Sequence, residues 1–412
     1  MKNDFFNHYQ IGCWYYRPTT FDLPYDPVEV QKDLGMTYFT TPEHWRSNPK
    51  YDGLKNLQKY LKKARELNFP TMYVDGRFFC TKKWAKPDVE VAKKRLAFIK
   101  ENYSDIVKGV FITDEPWWGH MDGHKALDAC KVFVDMVRNE APEFWTYIAL
   151  LGVADRYEKG RAELEDYINT VHPDFLLYNV YSQLMAEDFE KEQGMVNFYY
   201  QLYMYYEISR EKGIPLWASP MSISCWSFRE PKKNDFKWQL NVLAAHGVKG
   251  FVWYHLQETD AACGQSSSCG ILDCFGEKTY MYDWLKHENK VFMKSIASKL
   301  DGFELEDVYH YMFRQSNFKA FEFVRDDVIE DVRSKYHRHL IISKFKDDNG
   351  RIRIMITNGS QDQNGHFEIK FRGEYAKYNV GAEAGFLVPG GAKIISLFDV
   401  SPEIEMDPLE DD

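Results

Sequence analysis

Along the first three-quarters of the chain, short apolar runs alternate with longer stretches whose apolar residues recur every three or four positions. The runs cover 10–16, 36–41, 71–75, 108–113, 145–151, 175–181, 215–219 and 249–255, eight in all. Helical period marks 54–67, 88–101, 124–140, 162–171, 193–212 and 235–246, with a last helix over 279–300. Gly35, Gly213 and Gly247 stand just before the next run, where a helix is stopped most easily by a residue free to turn left-handed. Eight strand–helix pairs in about 300 residues predict an α/β fold, a (β/α)8 TIM barrel, with long loops after the first and eighth strands. The rival, a doubly wound open sheet, asks for a glycine-rich phosphate turn after the first strand, and Ile11-Gly12-Cys13-Trp14 does not supply one.

Beyond Gly302 the period changes to two. The runs 319–324, 339–343, 351–357, 366–371 and 393–397 alternate inward and outward residues, and turn signals such as Asp347-Asp-Asn-Gly350 and Asn358-Gly359 separate them. The expected organisation is a barrel over 1–302, a small C-terminal antiparallel β-sandwich over 303–400 and a flexible acidic tail over 401–412.

Composition narrows the function classes. With 52 Lys and Arg against 62 Asp and Glu the formal charge is −10, and no basic run appears, so nucleic acid is not an expected partner. No apolar stretch has the roughly 18–20 residues of a membrane-spanning helix, and the N-terminus lacks a signal-peptide core. A soluble protein is expected, cytoplasmic as the chain stands, secreted or periplasmic if a signal has been removed; its oligomeric state is left open. Of the seven cysteines, Cys263, Cys269 and Cys274 crowd one loop, where a disulfide, a metal or plain thiols all fit. No Cys pair is joined to a His pair in a zinc-finger arrangement and no HxH pattern falls within the barrel region, so no metal and no other cofactor is expected.

A barrel carries its chemistry at the C-terminal ends of its strands, so the polar and aromatic residues directly after each run are the candidates. These are Trp14 after the first; Glu43, His44 and Trp45 after the second; Asp75 and Arg77 after the third; and Asp114, Glu115, Trp117 and Trp118 after the fourth. Asn179 and Tyr181 end the sixth, Trp226 follows the seventh, and Trp253, Tyr254, His255 and Glu258 close the eighth. The strongest single signal is Gly109-Val-Phe-Ile-Thr-Asp-Glu-Pro-Trp-Trp-Gly119, an apolar strand running straight into two acids, a Pro and two rings. Rings beside Glu115 lower the local dielectric, and a carboxyl there is expected to keep its proton near neutrality, as a general acid must. The plainer reading makes both acids helix-start residues favoured by the dipole. The rings suit the apolar face of a sugar, though each one alone fits core packing. His44, His255 and Asn179 suit sugar hydroxyls or purely structural hydrogen bonds, and Arg77 beside Asp75 suits an acidic sugar or an ordinary rim ion pair.

The Asp-Glu-Pro end of the fourth strand, the phrase His172-Pro-Asp-Phe-Leu-Leu-Tyr-Asn-Val-Tyr181, the stretch Trp238-Gln-Leu-Asn-Val-Leu-Ala-Ala-His-Gly-Val-Lys-Gly-Phe-Val-Trp-Tyr254 and the trailing β-sandwich together resemble bacterial (β/α)8 glycoside hydrolases of the β-galactosidase and cellulase type. The resemblance covers nearly the whole chain as architecture and only these phrases as motif. It implies an oligosaccharide or glycoside substrate and Glu115 as the acid/base. One departure matters: retaining members carry their nucleophilic Glu after the seventh strand, and Ile214-Pro-Leu-Trp-Ala-Ser-Pro-Met-Ser-Ile-Ser-Cys-Trp226 holds no acid. Three mechanisms stay open. A retaining pair would use Glu258 as nucleophile; an inverting pair would use Asp75 or Glu258 as base. In the third, Asp114 orients a substrate 2-acetamido group beside Glu115, as in the β-hexosaminidase type. A carbohydrate-binding barrel without catalysis and metal-assisted hydrolysis are the competing classes.

Overall fold

The computed structural model describes residues 2–15, 23–42, 54–78, 80, 88–116, 123–151, 157–185, 194–225, 228–258, 267–313 and 322–398. They divide into two compact units, Met1–Glu230 with Lys249–Asn289, and Pro231–Val248 with Lys290–Asp412.

Eight parallel strands form one sheet: β1 (Gln10–Cys13), β2 (Phe39–Thr40), β3 (Thr71–Val74), β4 (Val107–Asp114), β5 (Trp145–Leu150), β6 (Leu176–Asn179), β7 (Leu216–Ser219) and β8 (Val248–Trp253). Each of the eight apolar runs supplies one. The strands are ordered β1-β8-β7-β6-β5-β4-β3-β2. The two ends of that order meet where the Thr37 N–H donates to Ile11 O at 2.8 Å and the Ile11 N–H to Thr37 Oγ1 at 2.9 Å, so the sheet is a nearly closed barrel. Its interior is packed with side chains, among them Tyr38, Met72, Val74, Phe111, Tyr147, Leu177, Trp217 and Val252. Two glycines make room for the largest of these. A Cβ on Gly250 would lie 1.8 Å from the Trp217 ring, and one on Gly12 would lie 2.1 Å from the Tyr38 ring.

Helices follow the strands: α1 (Pro27–Asp33), α2 (Leu54–Glu66), α3 (Val89–Tyr103), α4 (Gly123–Glu140), α5 (Tyr157–Val171), α6 (Met195–Lys212), α7 (Lys233–Ala245) and α8 (Met281–Phe292). Helical period alone does not predict α1. Its signal is the Asp26-Pro27 pair, for the Asp26 carboxylate accepts the Val28 N–H at 2.9 Å and Pro27 sits where no donor is needed. α6 ends at Gly213, left-handed at φ 63°. No helix among the described residues is long and apolar enough to cross a membrane.

The second unit holds α7 and two antiparallel sheets. One is ordered β9-β11-β12-β15, built from Glu304–Tyr311, Leu340–Lys346, Ile352–Asn358 and Ala392–Ser396. The other is ordered β10-β13-β14, built from Ile329–Ser334, Gly365–Phe371 and Phe386–Leu387. Their inner faces share one apolar core, including Ile329, Val332, Ile342, Ile354, Ile356, Phe367, Ile369 and Ile395. The predicted turn at 347–350 forms because the Asp347 carboxylate accepts the N–H groups of Asn349 and Arg351 and Gly350 takes φ 79°. Of the predicted run 319–324, residues 319–321 lie outside the described residues. Strands β9, β10 and β14 are additions to the sequence-based picture.

Candidate active site

The site is built by a bulge. Along β4, Phe111 pairs with Tyr147 and Thr113 with Ile148, so one residue is extra between them. Simple alternation would turn Asp114 out toward the helices; the bulge resets it to pair with Ala149, whose side chain belongs to the barrel core. The chain then turns sharply. Glu115 is left-handed at φ 47°, and its N–H donates to Ala149 O at 2.8 Å. A bulky residue in that region marks stored backbone strain, a feature that clusters at functional sites.

The carboxylate of Glu115 is held by β6. Asn179 Nδ2 donates to Glu115 Oε1 at 2.8 Å, and Asn179 is only 8% exposed. Asn179 lies in register with Ser219 of β7. Ser219 Oγ donates to Val252 O at 2.8 Å, accepts Trp14 Nε1–H at 3.1 Å and lies 3.3 Å from the Tyr181 hydroxyl. The Tyr181 ring packs 5.2 Å from Tyr254. Burial first, then Tyr254 and the negative charges of Glu115 and Asp114, push the Tyr181 phenol well above its ordinary value, so it remains a donor. The ends of β1, β4, β6, β7 and β8 thus bring together Asp114, Glu115, Asn179, Tyr181, Ser219, Trp14 and Tyr254.

Other sequence-predicted residues go elsewhere. Asp75 follows Val74, which faces the core, and so points the opposite way. It is fully buried, accepts Tyr73 O–H at 2.6 Å and the Arg77 N–H at 3.0 Å, and lies 3.7 Å from the guanidinium nitrogens of both Arg77 and Arg95 of α3. This buried ion network occupies the Asp75 carboxylate on the helix side of the sheet, and Arg77 belongs to it. Trp253 likewise faces the helices, where its indole N–H donates to Asn289 Oδ1 of α8 at 3.0 Å; it does not reach the interior. His255 is buried edge-on to Tyr254, and its carbonyl accepts from Ser222 Oγ at 3.1 Å. Glu258 Oε1 accepts the Gly270 N–H at 2.8 Å, which fastens this carboxylate to the loop after β8. Glu43, His44, Trp45, Trp117, Trp118 and Trp226 lie outside the described residues.

Sequence reasoning does not reach Tyr25. Its hydroxyl donates to Gln257 Oε1 at 2.6 Å and bonds the Tyr15 hydroxyl, tying the first βα loop to the loop after β8. The available signal is Gln257 itself, a polar residue three places beyond Tyr254. Burial first, and then the charges of Glu230 and Glu258, raise the Cys269 thiol; Cys274 is half-buried, and Cys263 lies outside the described residues. Among the described residues no three His, Cys, Asp or Glu side chains are grouped to hold a metal ion.

No family model matches the chain, and no curated protein matches it in sequence. Solved structures do resemble it, (β/α)8 glycoside hydrolases among them. One is a β-galactosidase from the Antarctic haloarchaeon Halorubrum lacusprofundi, 13% identical with a TM-score of 0.52, matched over 69% of this chain and 58% of that one. A β-galactosidase from Bacillus circulans sp. alkalophilus is 13% identical at a TM-score of 0.51, over 74% and 59%. An exo-β-1,4-mannosidase from an Opitutaceae bacterium is 13% identical at 0.50, over 68% and 59%. The match spans somewhat under three-fifths of each of these proteins, and at such identity the likeness is one of fold.

Proposed function

We propose that the protein is a glycoside hydrolase in which Glu115 donates the proton to the leaving oxygen. The observation that carries this reading is the left-handed Glu115 at the end of β4, turned inward and held through Oε1 by the amide of Asn179. With Oε1 engaged as an acceptor, the transferable proton belongs on Oε2. Tyr181, a partly exposed ring packed against the buried cluster of Trp14 and Tyr254, stands where a sugar's C–H face could rest. The fold's likeness to glycosidases agrees with this.

Among the acids considered as the second group, Asp75 is set aside by its buried network. Glu258 and Asp114 are left. A two-carboxylate mechanism uses Glu258, as nucleophile or as the base that activates water. The bulge favours a second reading, because it turns Asp114 inward beside Glu115, where it could orient a substrate acetamido group. Ser219 stands at the end of β7 where an acid would be needed for the common retaining pair.

A Glu115→Gln chain keeps the shape and the hydrogen bond from Asn179 but cannot donate a proton. Its turnover of a natural glycan should fall about 10²- to 10⁴-fold, the usual span for general acid catalysis. Wild-type turnover would end the proposal, and sugar binding with no turnover by either chain would leave a binding barrel. Glu258→Gln and Asp114→Asn then separate the mechanisms. Loss in the first alone indicates two carboxylates; loss in the second alone, confined to 2-acetamido sugars, indicates substrate assistance.

A further inference from the structure

We infer that the outer face of the β10-β13-β14 sheet is a second glycan-binding surface, one that holds a pyranose unit of an extended polysaccharide. The inference rests on the hydrolase reading only for the class of ligand; its geometry belongs wholly to the second unit.

Strand alternation creates the face. Arg333 of β10 lies opposite Glu368 of β13, and Phe386 of β14 lies opposite His366. Val332, Phe367, Ile369 and Leu387 point into the core, which turns Arg333, His366, Glu368 and Phe386 outward. A depression of about 220 Å³ opens there, lined by Arg333, Ser334, Lys335, His366 and Glu368. Phe386, 38% exposed, meets the His366 ring edge-on at 5.1 Å. Just beyond β10, Tyr336 is 66% exposed.

The backbone that presents Tyr336 is strained. Tyr336 and His337 are both left-handed, at φ 60° and 53°, in a turn where glycine or asparagine would sit without cost. Its ring is mostly in water, with the Lys335 ammonium 5.1 Å from its centroid. Strain of this kind, combined with an exposed ring beside a depression, points to a ligand.

The chemistry fits a sugar better than the alternatives. A pyranose offers an apolar C–H face to a ring and hydroxyls that both donate and accept. Arg333 and Lys335 supply donors, and Glu368 supplies an acceptor in the same depression. Glu368, with Asp331 3.2 Å from the Arg333 guanidinium, makes the site a poor one for a polyanion. Two rings are too little apolar surface for a stable protein partner, which covers about 800 Å² on each side.

The experiment is affinity electrophoresis of the full chain carrying Glu115→Gln in gels containing soluble galactan, mannan, xylan or glycol chitin. Retardation is expected in at least one gel. Adding Tyr336→Ala and Phe386→Ala should weaken that retardation at least tenfold, and Arg333→Ala alone should weaken it several-fold. In the catalytically intact chain, the two ring substitutions should leave hydrolysis of a short oligosaccharide within twofold while slowing hydrolysis of the retained polymer about fivefold. Both rings are exposed, so an unchanged melting temperature is the folding check, and Arg333→Ala serves if the double variant fails it. Retardation in none of the four gels, or retardation that survives loss of the rings and Arg333, overturns the inference. The hydrolase reading fails separately, through wild-type turnover by the Glu115→Gln chain.

Discussion

The amide of Asn179 donates to one oxygen of Glu115, and this gives the pair a measurable signature. In Asn179→Ala the carboxyl loses its partner at 2.8 Å, so turnover should fall by about 10² with substrate affinity less affected, the scale seen when one well-placed donor is removed. Asn179→Asp instead sets a second carboxylate against Glu115. Two carboxyls sharing a site cannot both ionise easily, so the proton on the pair is held to higher pH and the alkaline limb of the pH–rate profile should move up. An unmoved limb would show that Glu115 is not the group titrating. Asp75 makes the contrasting case. Its carboxylate is buried among Tyr73, Arg77 and Arg95, so Asp75→Asn should cost about 3–5 kcal/mol in denaturant unfolding while the folded fraction keeps its turnover.

At the level of elements, the extra residue in β4 does most to shape the candidate site, and periodicity could not have shown it. The apolar run 108–113 announces a strand and Asp114-Glu115 announces its end, but which acid faces inward depends on a register shift against β5. The same limit explains Trp253. Ring and strand were both legible, whereas the side of the sheet was not, and the side is fixed by pairing with β1, where Cys13 meets Trp253 and Gly12 meets Val252. Asp75 shows it a third time, since its position after β3 is evident from sequence and its outward direction is not. Glycines at interior positions are the trace this packing leaves in the sequence. Gly250→Ala would drive a methyl into the Trp217 ring, so it should lower stability by about 1–3 kcal/mol or more, as overpacking does. A urea midpoint unchanged from wild type would mean that Trp217 has another rotamer open to it.

Across the whole chain, the eight strands and the change of period after Gly302 could be read in advance because each strand buries its own apolar run, and burial writes itself into sequence locally. Long-range pairing does not. Three histidines of the second unit, His246, His310 and His339, are scattered over the sequence, yet they meet in a directional chain. His246 Nδ1–H donates to Val242 O at 2.7 Å, so its Nε2 must accept from His310 Nε2–H at 2.8 Å, and His310 Nδ1 in turn accepts from His339 Nε2–H at 3.2 Å. The chain works only with neutral rings. Burial pushes His246 down to about 4 against the raising effect of its bond to Val242, and burial together with the neighbouring imidazoles pushes His339 down to about 3 and His310 well below its ordinary value. Unfolded histidine titrates near 6.5, so between that pH and about 4 the unfolded chain binds more protons than the folded one. Stability is therefore full above pH 6.5 and is lost as the pH falls, by up to about 1.4 kcal/mol per pH unit for each ring. Asp326, a carboxylate held below its usual range, adds its own loss only in more acidic solution, which leaves the window from 6.5 to 4.5 to the imidazoles. Hydrogen exchange of the β11 and β12 amides should accelerate through that window, and His310→Asn should flatten the slope. Exchange protection that stays level down to pH 4.5 would refute the neutral chain.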